Sequence, residues 1–545
     1  MKNKTLKKTL ALTLAALMSL SAVGCGQKEA ASSTENSVST AATSSAEASS
    51  EVVEETPLYN VGSLPIVNEP VTIKVLTQDV TGRPFTKAAD AGIWAWLEEQ
   101  TGITIEVESY PAEELKQKLP LIMASPDEMP DIFLRCDLKE ADVMNYGQNG
   151  QLLELDSYIE EFGTNIQACF DTLDYAYGAS VSADGHIYAL PSFNGSKTLV
   201  SYSMNKEWLD AIGKETPTTL EELYEVFKVI QTSDANGNGD AKDEICLSGD
   251  PKTFKRMMLS TVGINCYWPW EGCLFDAKDD KVFFVETTDE YKYMLQWLHK
   301  CYDEGMLDNE IFTQESAQLK AKKEANQVFM FNGYMDPENT PVTGGMFPVP
   351  LTSEVNDTPL IAASAPYQVA TGAIAANTEY PEVCVLLLDY LFSEEASKAA
   401  YWGLEGIDYK VTDEANFVIE GLGEKDGFIG SRNYKTAMIM PYWNRDEWIQ
   451  PATTEMGRAL NEIQGAYSQV AFQNYLHFTN EEVDQVNVIA ADLGLYLDDH
   501  YVGFITGTYD IEKDWDEYVK KCQQMGADEL TKIYQTAYNR YYGIE

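Results

Sequence analysis

The amino-terminal stretch lacks the composition to join a folded core, and this decides where the fold must lie. Lys2, Lys4, Lys7 and Lys8 precede an apolar run from Leu10 to Val23. A run that short is a secretion-signal core rather than a membrane span. Ala22, Val23 and Gly24 then lead into Cys25, and residues 26–56 are almost all Ser, Ala, Thr, Glu and Val, with no aromatic residue. Such a segment buries too little apolar surface to offset the entropy of ordering it. As a flexible chain it reaches roughly 30–35 Å. The sequence therefore divides into a signal over 1–24, a tether over 25–64 and a body from about 65 to 545.

The body is too long for one ordinary core and suits two domains. The chain has 39 Lys+Arg against 86 Asp+Glu, a formal charge of −47. Taking away residues 1–24 removes four lysines and no acid, which leaves −51. That balance argues against nucleic acid and against lying flat on an anionic bilayer. Eight cysteines follow Cys25: Cys136, Cys169, Cys246, Cys266, Cys273, Cys301, Cys384 and Cys522. None forms a C-x-x-C pair, which argues against a zinc site. Export permits disulfides, and both thiols and disulfides remain open on sequence grounds.

Hydrophobic periodicity makes the body α/β. Val71–Leu76 reads as a strand, 85–101 as a helix through Ile93, Trp96 and Leu97, and Ile103–Val107 as a second strand. A helix over 112–124 and a strand over 131–134 follow. Strand–helix alternation predicts a parallel sheet with right-handed crossovers. Helices dominate the second half; 381–392 and 528–542 are the clearest, the latter with Leu530, Ile533, Tyr534, Ala537 and Tyr541 on one stripe.

One internal segment carries ion-binding chemistry. Thr219–Glu222 reads as a capping box opening a helix along Leu220, Leu223, Phe227 and Ile230. The helix runs into DANGNGDAKDE at 234–244. Asp234, Asn236 and Asn238 alternate as oxygen donors, Gly237 and Gly239 allow a sharp turn, and Asp240, Asp243 and Glu244 add further oxygens. Hard cations prefer such oxygen cages. Ile245-Cys246-Leu247 then reads as a strand, so the loop suits a structural Ca²⁺ clamp rather than a two-helix sensor.

The small residues before Cys25 resemble the lipid-attachment box of bacterial lipoproteins, which implies that Cys25 carries the lipid. DGHIYALP at 184–191, NKEWLD at 205–210, Pro217-Thr218-Thr219 and the 234–244 loop resemble bacterial extracellular solute-binding proteins. The closest group is the large lipoprotein type serving oligosaccharide importers, including aldouronate- and alginate-oligosaccharide binders. Leu387-Leu388-Asp389-Tyr390, WGLEGIDY at 402–409, FITG at 504–507 and YNRY at 538–541 extend the likeness over nearly the whole body. The loop holds one residue more before its Asp-Glu pair than that group shows, which leaves open which of Asp243 and Glu244 takes the ion.

This resemblance implies a two-lobed α/β fold of the type II periplasmic-binding-protein kind, with discontinuous lobes and a hinge. The expected boundaries are 65–185 plus about 357–425 for lobe 1, and about 186–356 plus 426–545 for lobe 2. It implies a monomer, lipid-anchored on the outer face of the cell membrane, that captures an oligosaccharide in the interlobe cleft and delivers it to an ABC permease. Structural Ca²⁺ would be its only cofactor and catalysis would be absent. No G-x-S-x-G, H-E-x-x-H or P-loop occurs, and His186, His299, His477 and His500 are scattered. Carboxylate pairs abound, which keeps open a polysaccharide-degrading lipoprotein. A peptide-binding or adhesin lipoprotein is the non-enzymatic alternative.

Sugars offer flat C–H faces and rings of hydroxyls, so their sites need aromatic plates beside polar side chains. Trp268 and Trp270 flank a proline in a loop. Tyr334 follows Asn332-Gly333, Trp402 and Glu405 lie in the WGLEGIDY string, and Trp443 and Arg445 follow Met440-Pro441. Asp79 ends the first strand, where open α/β sheets face their crevice. The scarcity of Lys and Arg leans toward neutral rather than acidic oligosaccharides.

Overall fold

The computed structural model describes residues 57–79, 91–194, 197, 199–267, 272–332, 345–413, 418–421, 440–449, 455–472 and 476–544. Cys25 and the signal lie outside them. In chain order the strands are β1 (Thr72–Gln78), β2 (Thr104–Tyr110), β3 (Ile132–Leu134), β4 (Ala189–Phe193), β5 (Tyr202–Asn205), β6 (Ile245–Gly249), β7 (Phe275–Lys278) and β8 (Lys281–Phe284). Then come β9 (Val328–Asn332), β10 (Gly345–Met346), β11 (Ile361–Ala363), β12 (Tyr367–Ile374), β13 (Tyr409–Asp413), β14 (Val418–Gly421) and β15 (Ser468–Val470).

The first sheet has the order β2-β1-β3-β12-β4. β1 pairs in parallel with β2 and β3, as the strand–helix alternation requires. The sheet is nevertheless mixed, because β12 runs antiparallel to both β3 and β4. Ile73, Val75 and Leu76 are buried within it, and helix Ala91–Thr101 lays Ile93, Trp94 and Leu97 on one face. Leu58 and Tyr59 already pack on this core, and the sheet extends to Phe193. Helix Pro381–Leu391 is almost wholly buried beside it, with Pro at its first turn. Asp389 of that helix accepts from the Asn165 and Ile166 amides at 2.8 and 2.9 Å and from Asn165 Nδ2 at 2.9 Å. A buried carboxylate thus serves as the missing cap of helix Thr164–Thr172, whose own capping position supplies no side-chain bond.

The second sheet, β10-β5-β9-β6, joins parallel β6 and β9 to antiparallel β5 and β10. Its core is the larger one. Helix Leu220–Ile230 buries Leu220, Leu223, Tyr224, Val226, Phe227 and Ile230 against it. Thr219 caps that helix by accepting from the Glu222 amide at 3.1 Å. The Glu222 carboxylate reaches Thr218 rather than the Thr219 amide, so the expected reciprocal box is displaced by one residue. The carboxy-terminal helices Asn480–Thr506, Ile511–Gln524 and Ala527–Tyr542 cover the same core, with Leu530, Ile533, Tyr534 and Ala537 buried and Tyr541 at its margin.

All eight described cysteines are buried free thiols. Burial pushes Cys246, Cys266 and Cys522 up to about 12, which makes them inert at neutral pH. Among the described residues, no helix is long and apolar enough to cross a membrane.

Candidate functional site

The chain passes between the two sheets through three adjacent stretches. Going out, it leaves β4 at Phe193 and reaches β5 at Tyr202. Val200 N–H donates to Ala362 O at 2.9 Å, and Leu199 bridges Ala363, so the outgoing stretch runs beside the returning β11. β11 in turn pairs in parallel with β15, which follows the third stretch from Trp443. Backbone hydrogen bonds therefore tie the crossings to one another.

A small void of about 10 Å³, room for about one water, adjoins this crossing. Leu199, Val200 and Ser201 line it from the outgoing stretch, Thr253 and Arg256 from helix Pro251–Thr261, Tyr267 from the following loop, and Asn332 from the end of β9. Parallel β6 and β9 deliver the last of these walls: Gly249 and Asn332 are register partners at their carboxy-terminal ends. Strand ends of this kind are where open α/β sheets bind ligands. A Cβ at position 249 would meet Asn332 Oδ1 at 1.8 Å, so the absence of a side chain there leaves room for the Asn332 amide. Asp250 then accepts from the Thr253 amide at 3.2 Å and starts the helix. Asn332 Nδ2 donates to Thr253 Oγ1 at 2.7 Å. Arg256 is 6% exposed, and its guanidinium lies 5.7 Å from the Tyr267 ring centre.

The preceding residue on this helix faces the other way. Lys255 Nζ lies 3.3 Å from Glu286, which is fully buried and also accepts from the Leu274 amide at 3.0 Å. The Lys255 ammonium also lies 5.4 and 5.1 Å from the Tyr291 and Tyr501 rings. Burial drives the Glu286 carboxyl up to about 7, and the nearby lysine only partly opposes it. One face of the helix is thus fastened into the core while the next side chain reaches the pocket.

The residues singled out by sequence fall in several places. Asp79, half-buried just past β1, accepts from Ser109 Oγ at 2.7 Å, and its amide donates to Tyr110 O at 2.7 Å. Trp268, Trp270 and Tyr334 lie outside the described residues, although Tyr267 and Asn332, their near neighbours in the chain, line the pocket. Trp402 ends helix Glu394–Trp402 edge-on to Tyr401, and Glu405 is exposed in the turn leading to β13. Trp443 is 7% exposed in the first core, its amide donating to Ser397 Oγ at 3.0 Å, and the Arg445 guanidinium covers its ring at 4.0 Å. These two meet each other, but neither lines the pocket. Sequence reasoning passed over Ser201, Thr253, Arg256 and Asn332. The available signal was an arginine in a helix whose neighbours Phe254, Met257 and Met258 are apolar.

Three of the four histidines contact main-chain carbonyls. His299 Nδ1 and His500 Nδ1 lie 3.0 and 2.9 Å from the Ile505 and Tyr496 carbonyls, and His477 Nε2 lies 2.8 Å from Gly178 O. His186 sits between Glu154 and Asp156 at 3.5 and 3.6 Å, on the surface.

The 234–244 loop is built from oxygen-rich turns. Gly237 and Gly239 adopt φ of 72° and 95°, a conformation that favours glycine. Asp234 Oδ2 accepts from the Gly239 amide at 2.9 Å. Asp243 accepts from Asn236 Nδ2, Asn238 Nδ2 and Gln327 Nε2 at 3.1, 2.8 and 3.2 Å. Partial burial would raise its pKa, but these bonds outweigh it and hold the carboxyl below its ordinary range. Glu244 Oε1 accepts from the Ala235 amide at 3.0 Å, whereas buried Oε2 has no hydrogen-bond partner. Burial raises its pKa. An acceptor-only oxygen buried without a donor, beside a set of carboxylate and amide oxygens, fits a hard cation.

Two mixed sheets, each with its own core, joined by hydrogen-bonded crossings, define the architecture of a periplasmic-type binding protein. The chain belongs to the bacterial extracellular solute-binding protein family, whose model matches residues 79–398, more than half of its length. Members of that family take up solutes rather than convert them. The chain is 24% identical over 99% of both sequences to the Streptococcus pneumoniae fructooligosaccharide ABC transporter substrate-binding protein FusA. It is 23% identical to Lipoprotein LipO of Bacillus subtilis over 81% of this chain and 88% of that protein. Among solved structures, an extracellular solute-binding protein from Bifidobacterium longum subsp. infantis superposes with a TM-score of 0.73 at 22% identity, covering 87% of this chain and 98% of that one. A FusA EF-hand mutant bound to fructo-nystose gives 0.69 at 22% identity, covering 87% of this chain and all of that one.

The Glu286 carboxyl sets a pH dependence with a definite sign. Its folded pKa, about 7, exceeds the ordinary glutamate value, so the native state holds the proton more tightly than the unfolded chain does. Its stabilising contribution is full below roughly pH 4.3, the ordinary glutamate value, and is lost as pH rises toward about 7. Urea unfolding across that window should show less of this decline in Glu286→Gln than in the parent. Identical slopes would exclude Glu286 as the source.

Proposed function

We propose that the protein is the substrate-binding subunit of an ABC importer and captures an oligosaccharide in a cleft between its two halves, beside the three crossings. The observation that carries this reading is the joining of two separately cored sheets by three backbone-tied crossings, with Thr253, Tyr267 and Asn332 beside them. Polar donors and acceptors next to an aromatic ring suit hydroxyl-rich ligands with apolar faces. The halves would act as lobes: residues 57–193 with 367–443, and 200–363 with 470–544. Bending at the crossings would close them over the ligand. The name of FusA supports both an ABC transporter and an oligosaccharide ligand.

Ca²⁺ would be held by oxygens drawn from Asp234, Asn236, Asn238, Asp240, Asp243 and Glu244, with Glu244 Oε2 as the acceptor that most needs it. The ion would supply positive charge to a carboxylate-rich loop and fasten the end of helix Leu220–Ile230 to β6. The EF-hand named for FusA supports this reading. Cys25 would carry the lipid that anchors the chain to the outer face of the membrane, in keeping with the lipoprotein name of LipO.

Three measurements test these readings. Calorimetry of the mature chain with neutral and uronic oligosaccharides should detect saturable binding, and a hundredfold excess over Kd should stabilise it by about 2.7 kcal/mol. Chromatography should return the glycan uncut. Absence of any glycan binding, or release of shortened glycan, would defeat the importer reading. Removing bound metal should lower the melting temperature, Ca²⁺ should restore it, and Glu244→Gln should blunt the restoration. An unchanged melt in protein shown to be metal-free counts against the ion. Mass spectrometry of membrane-extracted protein should find acyl groups on an amino-terminal Cys25; an unmodified Cys25 there excludes the anchor.

A further inference from the structure

The third stretch between the halves carries a buried amide with unused polar atoms near each of its ends. At its start, Asn444 is 1% exposed, and neither its Oδ1 nor its Nδ2 has a hydrogen-bond partner. Near its far end Gln464 is fully buried. Its Nε2 donates to Tyr202 O at 2.9 Å and to Pro348 O at 3.2 Å, while its Oε1 has no partner. Buried amides are almost always paired, because stranding one gives up its bonds to water without replacement. Asn444 gives up both kinds, as donor and as acceptor. A leucine of similar volume would fill the same place and strand nothing.

The main chain around Asn444 is pinned to the first half. Trp443 N–H donates to Ser397 Oγ at 3.0 Å, and Asn444 N–H donates to Phe193 O at 2.8 Å. Phe193 N–H donates in turn to Tyr442 O at 2.8 Å. Arg445 covers the ring of Trp443, which belongs to the first core. A backbone held on both sides leaves the amide little reach, so partners have to come to it. What can move past a residue at the joint is the second half. We infer that Asn444 sets the resting balance between two arrangements of the halves. Its amide is stranded in the arrangement of this structure and paired in a second one, and the difference biases the ligand-free protein toward the second. Gln464, already held to Tyr202 and Pro348 of the second half, strands one atom only and contributes less. The inference rests on the two-lobe reading above and not on which glycan is bound.

Distances between the halves in the ligand-free protein test this. Nitroxides at Glu160→Cys and Glu215→Cys, both exposed and one on each half, report them by double electron–electron resonance. The mature chain carries Cys25→Ser, so that the only other cysteines are the eight buried thiols. The parent should show two distances. Asn444→Leu should move the balance toward the distance of this structure by about tenfold or more. A single distance in the parent would overturn the inference. So would an unchanged balance in Asn444→Leu, the result expected if an ordered water simply satisfies the amide. Should Asn444→Leu not fold, judged by its melt, Asn444→Ala carries the same expectation. Failure of both to fold would also overturn the inference, because an amide without partners is dispensable to the fold. No ligand enters the experiment, so its failure leaves the importer reading to the glycan titration.

Discussion

The backbone pairing among the three crossings is the constraint on which the rest of the structure depends. Each sheet buries its own aliphatic core, and neither core needs the other to exclude water. What sets their relation is main-chain hydrogen bonding: Val200 to Ala362, Leu199 beside Ala363, and β11 alongside β15. Pairing of this kind resists shearing along the strands, because any slip breaks several bonds at once. The halves also touch away from the crossings, through His477 and Gly178 O.

The electrostatics follow a similar division. A large negative charge is spread over the surface, where water and salt screen it. Inside, charges are matched individually. Glu286 faces Lys255, Asp308 accepts from Lys322 at 2.7 Å, and Asp389 is surrounded by amides. These pairs add little by simple attraction, since desolvation offsets most of it. Their larger effect is to make one arrangement of elements much better than its alternatives: breaking any pair strands a buried charge. The Lys255–Glu286 contact orients helix Pro251–Thr261, and that orientation brings Thr253 and Arg256 to the pocket.

Much of the fold was legible because local pattern and global structure agree. β1, β2 and the helices Ala112–Met123 and Pro381–Leu391 lie within a few residues of where periodicity puts them. Thr219 caps as its residue type requires. The mixed character of the first sheet was not legible. β12 has the sequence YQVATGAI, whose small residues carry weak strand periodicity, and its partners β3 and β4 lie more than 170 residues away. Nothing local specifies such a pairing. The register slips between Gln368 and Gly372, where Ala370 takes a φ of 51°, a further departure that only tertiary contacts sustain.

The pocket shows the same limit from the other side. Composition searches for a sugar site favour tryptophan, and Trp443 satisfies that search while its actual place is the first core, under Arg445. Arg256 fails the search because it is one basic residue in a helix with an apolar face. The strand ends beside it depend on Gly249. Without a side chain there, β6 can lie against Asn332 of β9, and the helix that follows can begin at Asp250 close to the strand end. A larger residue would displace the Asn332 side chain, which donates to Thr253 Oγ1 at 2.7 Å. A single methyl group at position 249 would therefore disturb the Thr253–Asn332 contact beside the crossings.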